Sequence, residues 1–249
     1  MPDEVHVWQV SLDDGVSLLA SLKKTLSIDE LARAGRFRFR QDCERFIVAR
    51  GVLRILIARY LKLEPAQLRF TYNRFGKPAL TNADAREHHP ATLRFNLSHS
   101  HGLALYAFTQ GREVGVDVER IEGEKATQLI AEHFFSTAEV AALRTLPAHL
   151  RQTAFFNCWT SKEAYVKARG GGLSCDLRDF DVALVPGEPA ALLCTRDIHH
   201  EAARWSLHRL APAPRYVATL AIENFDGRST YRQFKYDAFA DDKSKRVNL

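Results

Sequence analysis

The chain has 249 residues, with 35 Lys plus Arg against 30 Asp plus Glu and a formal charge of +5. That length can bury a core without covalent staples, and the positive excess is a mild one rather than the footprint of a genome binder. No apolar run approaches the ~20 residues needed to span a bilayer. The opening MPDEVHVWQV has no signal-peptide h-region, and Cys43, Cys158, Cys175 and Cys194 show no CxxC spacing, so free thiols, a cytoplasmic location and no membrane partner are expected.

Taken in order, residues 5–10 (VHVWQV) read as an opening strand. Ser27 and Glu30 have the spacing of a capping box, which starts a short helix toward Arg33. From Gln41 to Leu61, Phe46, Ala49, Leu53, Leu56, Ile57 and Tyr60 recur at helical spacing, while Arg45 and Arg50 leave on the flanks. Arg33, Arg36, Arg38, Arg40, Arg45, Arg50, Arg54 and Arg59 crowd this region, a field that suits a small polyanion or an acidic protein unless it is only a solvated helix face. Residues 68–72 read as a strand, and Asn73 to Pro78 (NRFGKP) as a turn in which Gly76 supplies an unusual backbone. The polar stretch from Thr81 to Pro90 reads as a flexible loop.

Residues 95–119 gather the most unusual chemistry. In VGVDVE, Val114, Val116 and Val118 alternate with Gly115, Asp117 and Glu119, so the two acids share one face of a strand. Carboxylates at i and i+2 repel each other unless a cation lies between them. A hard divalent metal fits that need; acids on the solvent face of an edge strand are the plainer alternative. LALYAF (103–108) is expected to form a hairpin with VGVDVE through a turn at 109–113, with Asn96, Ser98, His99, Ser100 and His101 at its mouth. His99 and His101 have the spacing of zinc ligands, but no second Cys or His cluster accompanies them.

Beyond Glu119 a polar stretch leads to HFFSTAE, where Ser136 and Glu139 form a second capping box whose helix Pro147 stops. A longer helix is expected from about Arg151 to Arg169, ended by Gly170, Gly171 and Gly172. On it Glu163 and Lys167 stand at i and i+4 with Lys162 beside them, which taken alone is an ordinary surface ion pair. Strands follow at 180–185, 191–194, 204–210 and 216–222. Residues 223–249 turn polar and are expected to pack on the surface through Tyr231, Phe234, Tyr236 and Phe239. A faint repeat, in which each half offers a basic amphipathic helix and then strands, suggests two similar halves meeting near residues 112–115.

NRFGKP (73–78), FNLSHS (95–100), VGVDVE (114–119) and WTSKEAYVKARGGGL (159–173), together with HFFSTAE, occur in an order and spacing that resembles the 4′-phosphopantetheinyl transferases of the surfactin-synthetase-activating type. The resemblance runs from about Arg33 to Val185. It implies an α+β fold, a pseudo-symmetric monomer of two similar halves: 1–113, 114–222 with the metal site and catalytic helix, and an extension at 223–249. It implies further that coenzyme A and Mg²⁺, or Mn²⁺, bind between the halves, and that the partner is an apo acyl or peptidyl carrier protein. Carried over residue by residue, Asp117, Glu119 and Glu163 hold the metal, and Asp117, Glu163 and Lys167 are the catalytic groups. Arg45, Gly76, Lys77, Pro78, Asn96, Ser98, His99, Lys162 and Lys167 contact the coenzyme, Ser98 and His99 at its 3′-phosphate. Two family phosphate contacts that are lysines have only Glu30, Arg33 and Arg36 nearby in this chain.

The chemistry of the residues agrees with what the resemblance implies, since Mg²⁺ prefers one or two carboxylates together with phosphate oxygens. Glu163, or a water it holds, is the candidate base for a carrier serine, with Lys167 stabilising developing charge. Phe134, Phe135 and the following helix are the expected docking surface for an acidic carrier. Three rivals stand beside this reading: a metal-dependent phosphohydrolase using water, a basic nucleic-acid module, and a silent coenzyme A binder.

Overall fold

The protein is described from a computed structural model covering residues 4–81, 93–122, 124–172, 175–196, 201–224 and 229–236. The expected loop at 82–90, Leu173 and Phe239 lie outside the described residues. Strand β1 (Glu4–Ser11) opens the chain, followed by α1 (Leu19–Lys23), α2 (Ile28–Ala34) and the long α3 (Arg40–Leu61). A small hairpin, β2 (Phe70–Tyr72) with β3 (Pro78–Leu80), precedes β4 (Leu93–Ser100), β5 (Leu103–Gln110) and β6 (Val114–Arg120). Then come α4 (Glu124–Phe134), α5 (Thr137–Thr145), α6 (Ala148–Arg169), β7 (Phe180–Val182), β8 (Leu192–Thr195), β9 (Trp205–Leu210), β10 (Tyr216–Glu223) and β11 (Thr230–Lys235).

Two sheets carry the architecture, β11-β1-β5-β4 and β6-β10-β9. Alternation along each strand decides what its two faces meet. Val5, Val7, Leu103, Leu105 and Ala107 of the first sheet pack against Val114, Val116, Val118, Leu220 and Ile222 of the second, forming a shared middle core. The opposite face of the first sheet, with Trp8, Val10, Tyr106 and Phe108, is covered by Val48, Val52, Leu53 and Ile57 of α3. The opposite face of the second is covered by α6, with Phe155, Tyr165, Val217 and Ala221 in one cluster. The order is therefore helix, sheet, sheet, helix; the first half of the chain supplies one helix-on-sheet unit, with β11 added at its edge, and the second half supplies the other.

The expected hairpin of β5 with β6 does not form. β5 pairs antiparallel with β1 on one edge and β4 on the other, while β6 pairs with β10. Seven of the eight residues of β5, Leu103 to Thr109, are buried; a strand so enclosed needs neighbours on both edges to satisfy its amides, and β1 and β4 fill them. The hairpin that does form is β4–β5, closed at His101 and Gly102, where His101 takes φ +53°. The stretch after Glu119, read only as polar, contains α4, and the C-terminal extension contributes β11, parallel to β1, with Phe234 stacked on Trp8. α6 begins directly after Pro147, a turn earlier than its apolar stripe suggests.

Candidate active site

The site forms where β6 crosses α6. At Gly115 the strand lies so close to the helix that a Cβ there would collide with the carbonyl oxygen of Ala164 and the amide nitrogen of Ala168. Glycine at this position is what lets the two backbones touch. Two residues on, Asp117 is buried, and Lys167 reaches across from α6 to its Oδ1 at 2.6 Å. Ser98 of β4 donates to the same Oδ1 at 2.8 Å and accepts from Lys167 Nζ at 3.0 Å. Asp117 Oδ2, on the other side of the carboxylate, is buried without a hydrogen-bond partner.

Glu119 and Glu163 complete an acidic group. Burial raises the pKa of Glu163 above its ordinary value, and the neighbouring charges of Asp117 and then Glu119 push the same way against Lys167. Burial likewise raises that of Glu119, with Asp117 adding to it, although Ser100 donates to Glu119 Oε2 at 2.8 Å. The strand pair and the helix acid, far apart in the chain, are therefore brought within electrostatic reach of one another. Among the described residues no three His, Cys, Asp or Glu side chains close around a single point. The set still fits Mg²⁺, which keeps several waters and takes only one or two protein carboxylates beside substrate phosphate. An unpartnered buried carboxylate oxygen flanked by two acids with raised pKa values is a site short of positive charge.

A cationic flank adjoins the acids. His99 lies on the α3 side of β4; its pKa is lowered by the protein crowded about it and then by Lys167, Arg33 and Arg45, although the side chain keeps an open surface. Arg45 is held by Asp13 through Nε and Nη2 at 2.8 and 3.0 Å. Asp13 is a partner of Arg45 that the sequence did not single out, because it lies 32 residues away in a separate loop with no motif around it.

Several expected coenzyme contacts are committed elsewhere. Lys162 is 0% exposed and points into the core, where its ammonium donates to the carbonyls of Leu177 (2.7 Å) and Phe180 (2.6 Å) and pairs with Glu139 (2.8 Å). All three of its donors are used. Asn96 is also buried, with Oδ1 accepting from the amide of Val116 at 2.9 Å. The hydroxyl proton of Ser98 goes to Asp117 rather than toward open space. Lys77 donates to the carbonyl of Lys167 at 2.7 Å, tying the NRFGKP turn to the end of α6, where Asn73 also bonds Gly170. Gly76 holds φ +81° in that turn, and Lys77 and Pro78 line a cavity of about 440 Å³ together with Tyr72, Arg94, Glu113 and Arg169. Of the expected docking pair, Phe135 is core at 2% exposure, packed on Phe155, and only Phe134, 40% exposed, faces outward with Leu129 of α4.

With that geometry in place, likeness to known proteins decides the family. Residues 113–221 match the family model described as the 4'-phosphopantetheinyl transferase superfamily, and residues 8–110 match 4'-phosphopantetheinyl transferase, N-terminal. The 4'-phosphopantetheinyl transferase HetI of Nostoc sp. is 42% identical over 90% of this chain and 90% of its own length. This chain belongs to the 4′-phosphopantetheinyl transferase superfamily. It is accordingly an enzyme of the transferase class. Two further relatives are the 4'-phosphopantetheinyl transferases psf-1 of Bacillus pumilus, 32% identical over 70% of each chain, and Sfp of Bacillus subtilis, 29% identical over 64% of this chain and 66% of its own. Among the described residues no helix is long and apolar enough to cross a membrane.

Proposed function

We propose that this transferase moves the 4′-phosphopantetheine group of coenzyme A onto a serine of an apo acyl or peptidyl carrier protein. The carrier hydroxyl oxygen bonds to the β-phosphorus as the bond from that phosphorus to the bridging oxygen breaks, and adenosine 3′,5′-bisphosphate leaves. The observation that carries the reading is the meeting of Asp117, Glu119, Glu163 and Lys167 across the β6–α6 crossing. A serine hydroxyl is a poor nucleophile until its proton is removed. Glu163, half-buried and with its pKa raised by burial, is the group suited to accept that proton. Lys167 Nζ offers a fixed positive charge to the pyrophosphate. His99, with Arg45 and Arg33 beside it, forms an anion-holding flank for the far phosphate.

Asp117, Glu119 and Glu163 would hold Mg²⁺, or Mn²⁺, which when bound neutralises charge on the pyrophosphate. One chain supplies both sides of the site, His99 from the first half and Glu163 from the second, so the enzyme is read as a monomer. Its four free cysteines suit a reducing cytoplasm.

The test is intact-mass measurement of apo carrier proteins incubated with enzyme, coenzyme A and Mg²⁺. A gain of one phosphopantetheine group on the carrier is expected. Release of phosphopantetheine from coenzyme A with no carrier present would instead make the enzyme a hydrolase.

A further inference from the structure

Asn96, Ser98 and Ser100 of β4 face β6, although the two strands belong to different sheets. Each accepts a β6 amide: Val116 N to Asn96 Oδ1 at 2.9 Å, Val118 N to Ser98 Oγ at 3.4 Å, and Arg120 N to Ser100 Oγ at 3.2 Å. The two serines also donate, in each case to the acid one place before the amide they accept. Ser98 Oγ gives its proton to Asp117 Oδ1 and Ser100 Oγ to Glu119 Oε2, both at 2.8 Å. Asn96 stands opposite Gly115, where there is no side chain to receive anything. The β4 residues thus replace a missing backbone ladder with a side-chain one, in a constant register.

A hydroxyl has one proton and two lone pairs, so accepting an amide fixes where that single proton can point. Here it points at a carboxylate, a charge-assisted bond roughly twice as strong as a neutral one. At Asp117 the bond occupies Oδ1, together with Lys167, and leaves Oδ2 buried and without a partner.

Resting on the functional reading above, we propose that Ser98 and Ser100 are positioning residues that lock the carboxylate rotamers of Asp117 and Glu119 so that one edge of each is presented to a divalent cation. Both hydroxyls are engaged within the protein, by the β6 amides and the two acids, which is the role this inference gives them. Outer-sphere partners of this kind typically set metal affinity by 10–100-fold, and a serine whose only work is joining the sheets would not.

The experiment measures binding of Mn²⁺ by electron paramagnetic resonance, with coenzyme A saturating, for the full chain and for Ser98→Ala, Ser100→Ala, Ser98→Thr and Ser100→Thr, alongside thermal unfolding and coenzyme A binding without metal. Expected is a loss of Mn²⁺ affinity of about 10-fold or more in each alanine variant, with coenzyme A affinity kept and Mn²⁺ binding restored by at least one threonine variant. Ser100, at the end of its strand, serves should Ser98→Ala fail to fold. Mn²⁺ affinity within about twofold of the parent in folded Ser100→Ala would overturn the inference, as would loss of coenzyme A affinity in place of metal affinity. Failure of the parent chain itself to bind Mn²⁺ would overturn the metal reading beneath it, which is a different result from a parent that binds and variants that match it.

Discussion

Arg54 and Lys162 occupy the same place in the two halves. α3 and α6 are each 22 residues long, and each of these cations stands fourteen residues after the first, from 40 to 54 and from 148 to 162. Each is buried and pairs with the glutamate of a capping box, Arg54 with Glu30 at 2.7 Å and Lys162 with Glu139 at 2.8 Å. Each also donates to two backbone carbonyls beyond its helix, Pro65 and Leu68 in one half, Leu177 and Phe180 in the other. The halves then part company. One residue on, Glu163 corresponds to Ile55, which packs into the first core, and Lys167 corresponds to Arg59, which lies over Tyr236. The common knot is scaffold, and on the function proposed above the chemistry sits on one copy of it; Lys162, adjacent in sequence to the proposed acid Glu163, is wholly spent on that knot.

The largest expected effect tests the asymmetry directly. Asp117→Ala and Glu163→Ala should each lower carrier modification by about 10²–10⁴-fold, with unchanged circular dichroism, while Ile55→Ala at the matching position of α3 costs stability and no chemistry. Retained turnover in Glu163→Ala would remove the basis for assigning catalysis to the second half. The shared knot is tested next. Lys162→Met leaves Glu139 buried without its ammonium partner, held by the amides of Ser136 and Val182 and by the Cys158 thiol, a change of about 3–5 kcal/mol in denaturant unfolding. Arg54→Met should cost less, because Glu30 keeps Arg50 at 3.2 Å. Coenzyme A affinity in the folded fraction of Lys162→Met should match the parent. A smaller contrast comes from two glycines. Gly115→Ala drives a methyl into the backbone of α6 and should cost about 1–3 kcal/mol along with activity, whereas Gly51→Ala in α3 crowds Cβ and Cδ2 of the buried Leu22 rather than a backbone, and up to about 1 kcal/mol of helix propensity offsets part of that overpacking, so its net cost should be the smaller and fall on stability alone.

What the sequence made legible were the periodic elements and the acids. Period two in VGVDVE put Asp117 and Glu119 on one face, and period 3.6 put Glu163 and Lys167 on one stripe; both follow from backbone geometry alone. Pairing partners were not legible. β5 is apolar on both faces, so its pattern does not say whether β6 or β1 lies beside it, and adjacency in sequence favoured the wrong neighbour. α4 read as polar because its core contact is small: among its described side chains Ala131 is buried and Ile130 partly so, while Leu129 stays 71% exposed. Lys162 and Asn96, buried and fully engaged, do not face a coenzyme, and Lys77 spends its ammonium on α6 while lining a cavity. A polar side chain next to a motif looks functional until the carbonyls and amides it satisfies are known, and those belong to segments as distant as Phe180 and Lys167.

The outer edges of the two sheets differ as well, and this gives the smallest and most local prediction. The first sheet carries β11 against β1, and His6 of β1 lies under it, with Nδ1 2.8 Å from Tyr60 Oη, Nε2 3.3 Å from Glu4 and its ring edge-on to Phe234. Burial lowers the pKa of His6 below 6.5; Glu4 opposes the shift and Arg232 adds to it. Because the folded pKa lies below the unfolded one, the unfolded chain takes up its proton first as pH falls. The stability this residue contributes is therefore whole above about pH 6.5 and is lost as pH drops through the folded value. His99 and His208 are shifted the same way and share that loss. His6→Gln removes one of the three, so the fall in unfolding free energy between about pH 7.5 and pH 5.5 should shrink without vanishing. A fall as steep as the parent's would mean that β11 leaves β1 before the chain unfolds, exposing His6 to solvent in the native state. The C-terminal strand would then be a detachable addition to the first half rather than part of its sheet.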